Sequence, residues 1–458
     1  MVRNTVAMSE ASTTTVAAEE RRIPRKQVFS WALWDWATQP FNTVILTFVF
    51  VTLYLVKDDF IEPGADRDAA LADLSGKVAW AMAIAGIGVA IVAPVLGQLA
   101  DRTGRRKAWL GWTTILLVIS MLSLYFVQAA PSYFVLGVGI LAIASVIGEI
   151  AGVNYNAMLV QVSTPRTAGR VSGLGWGFGY IGGIVALVIV VVSDSFDWYG
   201  LNTDNGMAYR LIAVGCAVWT LVFAWPLFRF VPEAPAAPRG EGGGILNAYV
   251  LLWHSIRGLW NEARSTLWFL AASAVYRDGL AGVFVFGALI AANAYDFSNT
   301  EVILFGIAAN LIAGIVTMIS GRLDDKLGPR TVIIAALIGI IIGGLAVAFL
   351  HDYGPEIFWI FGLLLAGMVG PAQAASRSLL ARLSPLGRET EMFGLYATTG
   401  RAASFLSPIG WAVAVGITGM TLWGTLGIIT VVALGLVLLL FVRTPADHGA
   451  GARPDLAE

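Results

Sequence analysis

Long apolar blocks separated by short polar breaks dominate this chain of 458 residues. A bilayer core about 30 Å thick is crossed by roughly 20 apolar residues in a helix. Twelve segments meet that length, near 29–56, 77–100, 108–128, 132–160, 168–193, 207–230, 265–293, 299–321, 329–350, 354–382, 389–415 and 419–442. The pattern predicts an all-α polytopic membrane protein with twelve transmembrane helices. The connection from 231 to 264 opens with Pro232, Pro235, Pro238 and Gly242 to Gly244, a run that a membrane helix does not hold. It separates an N-terminal six-helix half, 29–230, from a C-terminal one, 265–442, with tails at 1–28 and 443–458; the first reads as disordered.

Composition agrees with that reading and narrows it. Hydrophobic residues make up 57% and charged residues 13%, whereas a soluble domain is roughly a quarter charged. A net charge of −1 leaves no basic field for nucleic acid. The single cysteine, Cys216, excludes an internal disulfide and a cysteine-based metal cluster. Lysine and arginine are retained on the cytoplasmic side of membrane proteins. The N-terminal tail, the loops leaving even-numbered helices and the C-terminal tail hold 23 of the 29, Arg377 being counted among them. The opposite side holds Lys57, Arg67, Lys77 and Arg210, and Arg277 and Arg401 fall within spans. Both termini are therefore expected in the cytoplasm, and the cell membrane is the expected location.

The halves repeat one another. Gly97-Gln-Leu-Ala-Asp101-Arg102-Thr-Gly104-Arg-Arg106 matches Gly321-Arg-Leu-Asp-Asp325-Lys326-Leu-Gly328-Pro-Arg330, each after the second helix of its half. Such duplication is common in secondary transporters, with the site at the repeat interface. The doubled motif resembles the signature of the major facilitator superfamily. Within it, Trp31-Ala-Leu-Trp-Asp35-Trp-Ala, Tyr155-Asn156-Ala-Met-Leu159, Arg170-Val-Ser-Gly with Gly179-Tyr180-Ile-Gly182-Gly183, and Tyr276-Arg-Asp278-Gly279 resemble the "unknown major facilitator" family. That family includes the autophagy-related vacuolar amino-acid effluxers of fungi. The resemblance implies the major facilitator fold, a cavity lined by helices one, four, seven and ten, and a conformational latch in each motif copy. Asp101 would then face the start of helix eleven near Arg388 to Met392, and Asp325 the start of helix five near Ala168 to Val171.

Ionisable groups inside a membrane are disfavoured by at least about 2.5 kcal/mol each and mark a cavity by default. Here they are Asp35, Glu149, Arg277, Asp278 and Arg401. Asp35, Thr38, Gln39 and Asn42 form one helical stripe, and Ser145, Glu149, Gly152 and Asn156 another. Three acids against two bases leave one acid unpaired, and an unpaired buried carboxylate takes up a proton. Glu149 is the expected carrier, then Asp35, while Asp278 would satisfy Arg277. Asn154, Tyr276 and Gln373 would add hydrogen bonds to a solute.

The glycines of helix five follow no strand, so Gly175, Gly179 and Gly183, four residues apart, read as a packing seam rather than a dinucleotide loop. His254, His351 and His448 lie outside the spans, and no phosphate-binding loop precedes a helix. No metal, cofactor or enzymatic chemistry is expected. The expected function is secondary active transport of a small polar solute by alternating access, coupled to protons, with amino-acid-like efflux as the specific case. The competing readings are a cation-coupled sugar or drug carrier and, from another class, a membrane sensor or lipid scramblase. The expected partners are the small-molecule substrate, protons and the lipid bilayer, with the chain working as a monomer.

Overall fold

The computed structural model describes residues 23–200, 204–233, 257–258, 260, 264–297, 299–385 and 387–442. Residues 1–22, 443–458 and most of the 231–264 connection lie outside the described residues, and with them most of both tails. The helices are α1 (Arg25–Pro40), α2 (Arg67–Thr103), α3 (Arg106–Ser123), α4 (Phe134–Ala157), α5 (Ala168–Ser195), α6 (Met207–Phe230), α7 (Arg264–Ala294), α8 (Asn299–Leu327), α9 (Pro329–Phe349), α10 (Leu363–Leu383), α11 (Glu389–Ala403), α12 (Leu406–Thr418) and α13 (Gly424–Leu440). No strand occurs among the described residues. The helices make twelve spans, because α11 and α12 together form the eleventh.

Two spans depart from regular helix for identifiable reasons. Pro40 has no N–H to donate, and beyond it the first span continues in wider turns over Phe41–Phe48 and Phe50–Leu55. There the Thr47 hydroxyl donates to the Asn42 carbonyl at 2.7 Å, as membrane depth requires of an irregular backbone. The eleventh span breaks at Ser404 and Phe405, and α12 starts without a side-chain cap of its own. Asp278 of α7 supplies one, accepting the Ser407 N–H at 2.5 Å. A third difference is length: α2 begins at Arg67, ten residues before the expected start, because the polar stretch ahead of the apolar block stays helical.

Among the described residues, eight helices are apolar and long enough to cross a bilayer by composition alone. The first, seventh, eleventh and twelfth spans are not; the twelfth, Gly424–Leu440, is apolar but short, and the other three carry Asp35, Arg277, Asp278 and Arg401. Polarity that weakens a span as a lipid-facing helix is what a cavity wall requires.

The N-half (α1–α6) and C-half (α7–α13) meet along two antiparallel seams. On α5 and α8, a Cβ at Gly173 would lie 2.7 Å from the Thr317 carbonyl oxygen and 3.1 Å from Gly321 Cα, and one at Gly177 would lie 3.1 Å from the Gly314 carbonyl oxygen. On α2 and α11, a Cβ at Gly394 would meet the Ala93 carbonyl oxygen at 2.8 Å, and Thr398 donates to Ala90 at 3.0 Å. Glycine is required at Gly173 and Gly394 because the opposing atoms are backbone, which cannot move aside, whereas Gly177 also faces the Met318 side chain. Both seams begin at the face carrying the basic loops and run for 10 to 12 residues, about 15–18 Å at 1.5 Å per residue. That is half the bilayer. Beyond them the helices part around a cavity of about 1100 Å³, walled by residues such as Gln39, Thr43, Tyr180, Gly287, Asn310 and Thr425. Its rim residues Leu53, Trp198, Tyr209 and Val302 lie at the helix ends remote from the basic loops. The structure is thus closed at the basic face and open at the other.

Two outcomes follow. Asp278→Ala should lower stability by about 1–2 kcal/mol, the usual loss for a helix cap, and Asp278→Asn by less; thermal unfolding of the purified variants measures it. Gly173→Val should force the α5–α8 seam apart, overpacking by about 1–3 kcal/mol. Spin labels at exposed Arg105 and Lys326 should then report a longer distance across the basic face.

Candidate functional site

Site residues fall into four groups: two inter-half latches, two inter-half ion pairs, a lone guanidinium, and side chains turned into their own half. The latches come first along the chain. Asp101 ends α2 and accepts the N–H groups of Thr390 (3.2 Å) and Glu391 (2.8 Å), the second and third residues of α11. Arg106 joins it, with Nε 2.7 Å from Asp101 and Nη2 2.5 Å from Glu389, all three side chains being almost fully buried. In the second copy, Asp325 accepts the N–H groups of Gly169 (2.8 Å) and Arg170 (3.2 Å), the second and third residues of α5. Neither α5 nor α11 has a side-chain N-cap of its own, so each is capped by a carboxylate from the opposite half.

The motif glycines serve the same geometry. Gly104 and Gly328 have φ of 63° and 83°, conformations that favour glycine. Gly97 and Gly321 let the Thr390 and Gly169 carbonyls approach. The copies differ in their cations: Arg330 donates to Leu440 of its own half at 2.9 Å rather than to Asp325, and Lys326 is exposed. The side chain of Arg102 lies outside the described residues.

Asp35 is bound by a residue counted among the loop cations. Arg377 of α10 is buried, its Nη1 3.2 Å from Asp35 and 2.9 Å from Asn156 Oδ1, while Nε and Nη2 donate to the Ser172 hydroxyl (2.9 Å) and carbonyl (2.6 Å). Its guanidinium lies 5.0, 5.6 and 5.8 Å from the rings of Trp31, Tyr155 and Trp176. The expected balance of three acids and two bases is therefore corrected to three and three. The signal was present in the sequence, since Arg377 lies within the 354–382 span.

Glu149 is not the unpaired acid either: it forms an ion pair with Arg401 of α11, both side chains about 40% exposed. The expected pairing of Asp278 with Arg277 is absent among the described residues. Adjacent helical residues do not face each other, and Asp278 turns to α12 instead. Arg277 lies flat on the Tyr396 ring, 3.7 Å from its centroid, and donates to the Tyr396 carbonyl at 3.1 Å. No described carboxylate is within ion-pair distance of Arg277, and its Nε has no hydrogen-bond partner.

Of the remaining stripe residues, Gln39 lines the cavity and Asn42 is exposed. Thr38 is buried and donates to the Trp34 carbonyl at 3.1 Å, so it faces its own half. Asn154 likewise donates to Ile150 at 2.9 Å and is 1% exposed. Tyr276 shares a 2.6 Å hydrogen bond with Ser376 inside the C-half. Gln373 is partly exposed on α10. On helix five, Gly175, Gly179 and Gly183 face Trp31 and Asp35, Gln39 and Thr43 of the first span, and the inter-half seam uses Gly169, Gly173 and Gly177.

With this geometry in hand, known proteins give its context. The family model described as "Vacuole effluxer Atg22 like" matches residues 161–449. The "Uncharacterized MFS-type transporter YxiO" of Bacillus subtilis (strain 168) is 27% identical over 424 residues, 91% of this chain and 95% of that protein. "Autophagy-related protein 22-1" of Aspergillus fumigatus is 24% identical over 269 residues, 53% of this chain and 43% of that protein, so this chain spans less than half of its length. In fold, the proton:xylose symporter XylE bound to 6-bromo-6-deoxy-D-glucose superposes with a TM-score of 0.69 at 15% identity, over 91% of this chain and 95% of that one. The chain has the major facilitator fold, two six-helix pseudo-repeats, and is a membrane transporter of small molecules rather than an enzyme. It belongs to the Atg22-like family of the major facilitator superfamily.

Proposed function

We propose that this transporter moves a small organic solute bearing a carboxylate, an amino acid being the specific case, outward across the cell membrane in exchange for protons. The basic face is then the cytoplasmic one, as charge retention dictates. Both termini lie there, the conformation described above is outward-open, and the chain works as a monomer in the bilayer.

The observation that carries this reading is Arg277. Every other intramembrane guanidinium of the C-half already has a carboxylate, Arg377 with Asp35 and Arg401 with Glu149. Arg277 is pinned by an aromatic face and one carbonyl, with donors left over. An aromatic ring holds a guanidinium without neutralising it, so its charge is left for a solute carboxylate, which an arginine can take in a bidentate manner once the site opens to it. The acids of the N-half would take the amine.

Proton coupling rests on the ion pairs that cross between halves. In the two that lie within the membrane the acid belongs to the N-half and the base to the C-half, so protonating the acid removes the attraction that holds the halves together there. Glu149 is the more exposed acid and the one water reaches. Asp101 and Asp325 serve as latches for the outward-open state. Each cap is worth about 0.5–2 kcal/mol, and together they shift the population by roughly thirtyfold.

Counterflow in proteoliposomes with a panel of amino acids, organic acids and sugars tests the cargo. Exchange is expected for carboxylate-bearing solutes, and exchange confined to sugars, or none at all, would sink the reading. Arg277→Gln should raise the apparent KM by roughly 30-fold or more, the loss of about 2 kcal/mol from a partly buried charge pair. Glu149→Gln should abolish gradient-driven accumulation while leaving exchange intact, which is read from uptake with and without an imposed pH gradient.

A further inference from the structure

Arg377 fits the N-half as a side chain fits a ligand site. Its walls come from three N-half helices: Trp31 and Asp35 on α1, Tyr155 and Asn156 at the end of α4, Ser172 and Trp176 on α5. We propose that this socket is a binding site for an organic cation, the ammonium or guanidinium end of the transported solute, and that Arg377 is its occupant only while the basic face is closed. The proposal rests on the reading of the cargo as a solute with a cationic group, and it names where that group goes.

Apart from the Ser172 hydroxyl, which donates to the Ala374 carbonyl of α10 at 2.7 Å, the socket is held together by contacts within the N-half. Trp31 stacks on Tyr155 at 4.4 Å and 10°, and Tyr155 stacks on Trp34 at 4.5 Å. The Trp31 indole N–H donates to the Tyr155 carbonyl at 3.2 Å, the Trp34 indole N–H to Thr114 at 3.1 Å, and the Tyr155 hydroxyl to Asp35 at 3.0 Å. Gly175 keeps the space open, since a Cβ there would lie 2.8 Å from Arg377 Nη2 and 3.0 Å from Asp35 Oδ2. When alternating access carries α10 away, Arg377 leaves and these contacts remain.

What remains is a preorganised cation site. Asp35 Oδ2, Asn156 Oδ1, and the Ser172 hydroxyl and carbonyl are four acceptors that now serve one guanidinium. The rings of Trp31 and Trp176 lie within about 6 Å of its centre, an aromatic wall of the kind that recognises ammonium and guanidinium groups, and Tyr155, stacked between Trp31 and Trp34, contributes its edge. A carboxylate in such surroundings does not stay uncompensated. A proton would cancel its charge but leave the other acceptors and the ring faces idle, whereas an ammonium with three donors, or a guanidinium with five, uses them. Access exists as well: Asp35 is 21% exposed, and Gln39, one turn along α1, lines the cavity.

The experiment titrates methylguanidinium into purified full-length Arg377→Ala, whose socket is vacant in every conformation. Tryptophan emission, with Trp31 and Trp176 flanking the site, and thermal stabilisation are the two readouts. Binding should be saturable and at least about tenfold tighter than to the wild-type protein, and Asp35→Asn in the same background should remove it. Arg377→Gln, which keeps bulk and loses the charge, is carried through the same titration so that a folding defect in the alanine variant does not decide the result. Folded variants that show no saturable response, or a response that survives Asp35→Asn, overturn the proposal, as does a vacant socket that responds to pH alone. Because no transport enters these readouts, the socket and the cargo reading fail separately.

Discussion

Among the helices that begin without a side-chain N-cap of their own, three take one from a carboxylate on another helix. Asp101 caps α11, Asp325 caps α5, and Asp278 caps α12. The first turn of a helix leaves N–H groups that must find acceptors, and at or within a membrane water is a poor source of them. Placing the acceptor on a different helix converts a local requirement into a tertiary one. For α5 and α11 the donor and acceptor belong to different halves, so the capping of a helix and the state of the transporter are one variable.

The glycine seams make that variable close to two-valued. Backbone approaches backbone at Gly173 and Gly394, and a contact of that kind weakens steeply with distance, since a gap of about 0.5–1 Å already forfeits a quarter to a half of its dispersion energy. The ion pairs lie along and above these seams. Asp35 with Arg377 is enclosed in aromatic walls, and Glu149 with Arg401 is open to solvent. Packing sets how sharply the basic face closes, the caps set the bias, and the acids provide the handle by which a proton or a solute alters it.

How much of this the sequence discloses depends on what each feature needs. Spans and their alternation of basic loops need only composition and spacing, and the latch aspartates announce themselves because the motif occurs twice. The stripe through Asp35 and Glu149 holds because helical periodicity fixes which side chains share a face. Thr38 drops out of it, since a hydroxyl one turn from the Trp34 carbonyl satisfies itself within the helix. Pairing is where linear reasoning fails. Arg377 lies near a helix end, where its charge resembles that of a loop cation, and only the approach of α10 to α1, α4 and α5 reveals its partners. The break that makes Asp278 a cap is announced only by Pro408, which has no N–H for the Ser404 carbonyl four residues back, and nothing in the sequence says which side chain caps the new helix.

The polarity of the inter-half ion pairs has a consequence for how the duplicated halves recognise each other. Within the membrane the carboxylate belongs to the N-half and the guanidinium to the C-half, Asp35 with Arg377 and Glu149 with Arg401, and at the latches the polarity is reversed, Arg106 with Glu389 and Arg170 with Asp325. Two copies of one half brought together in the same geometry would set acid against acid at some of these contacts and base against base at the others. Like charges across a low-dielectric contact are strongly disfavoured. The repeats share an ancestral shape but have lost exchange symmetry, so each half is a poor partner for its own copy and a good one for the other. Correct assembly in the membrane is thus written into charge as well as into the connection between the halves.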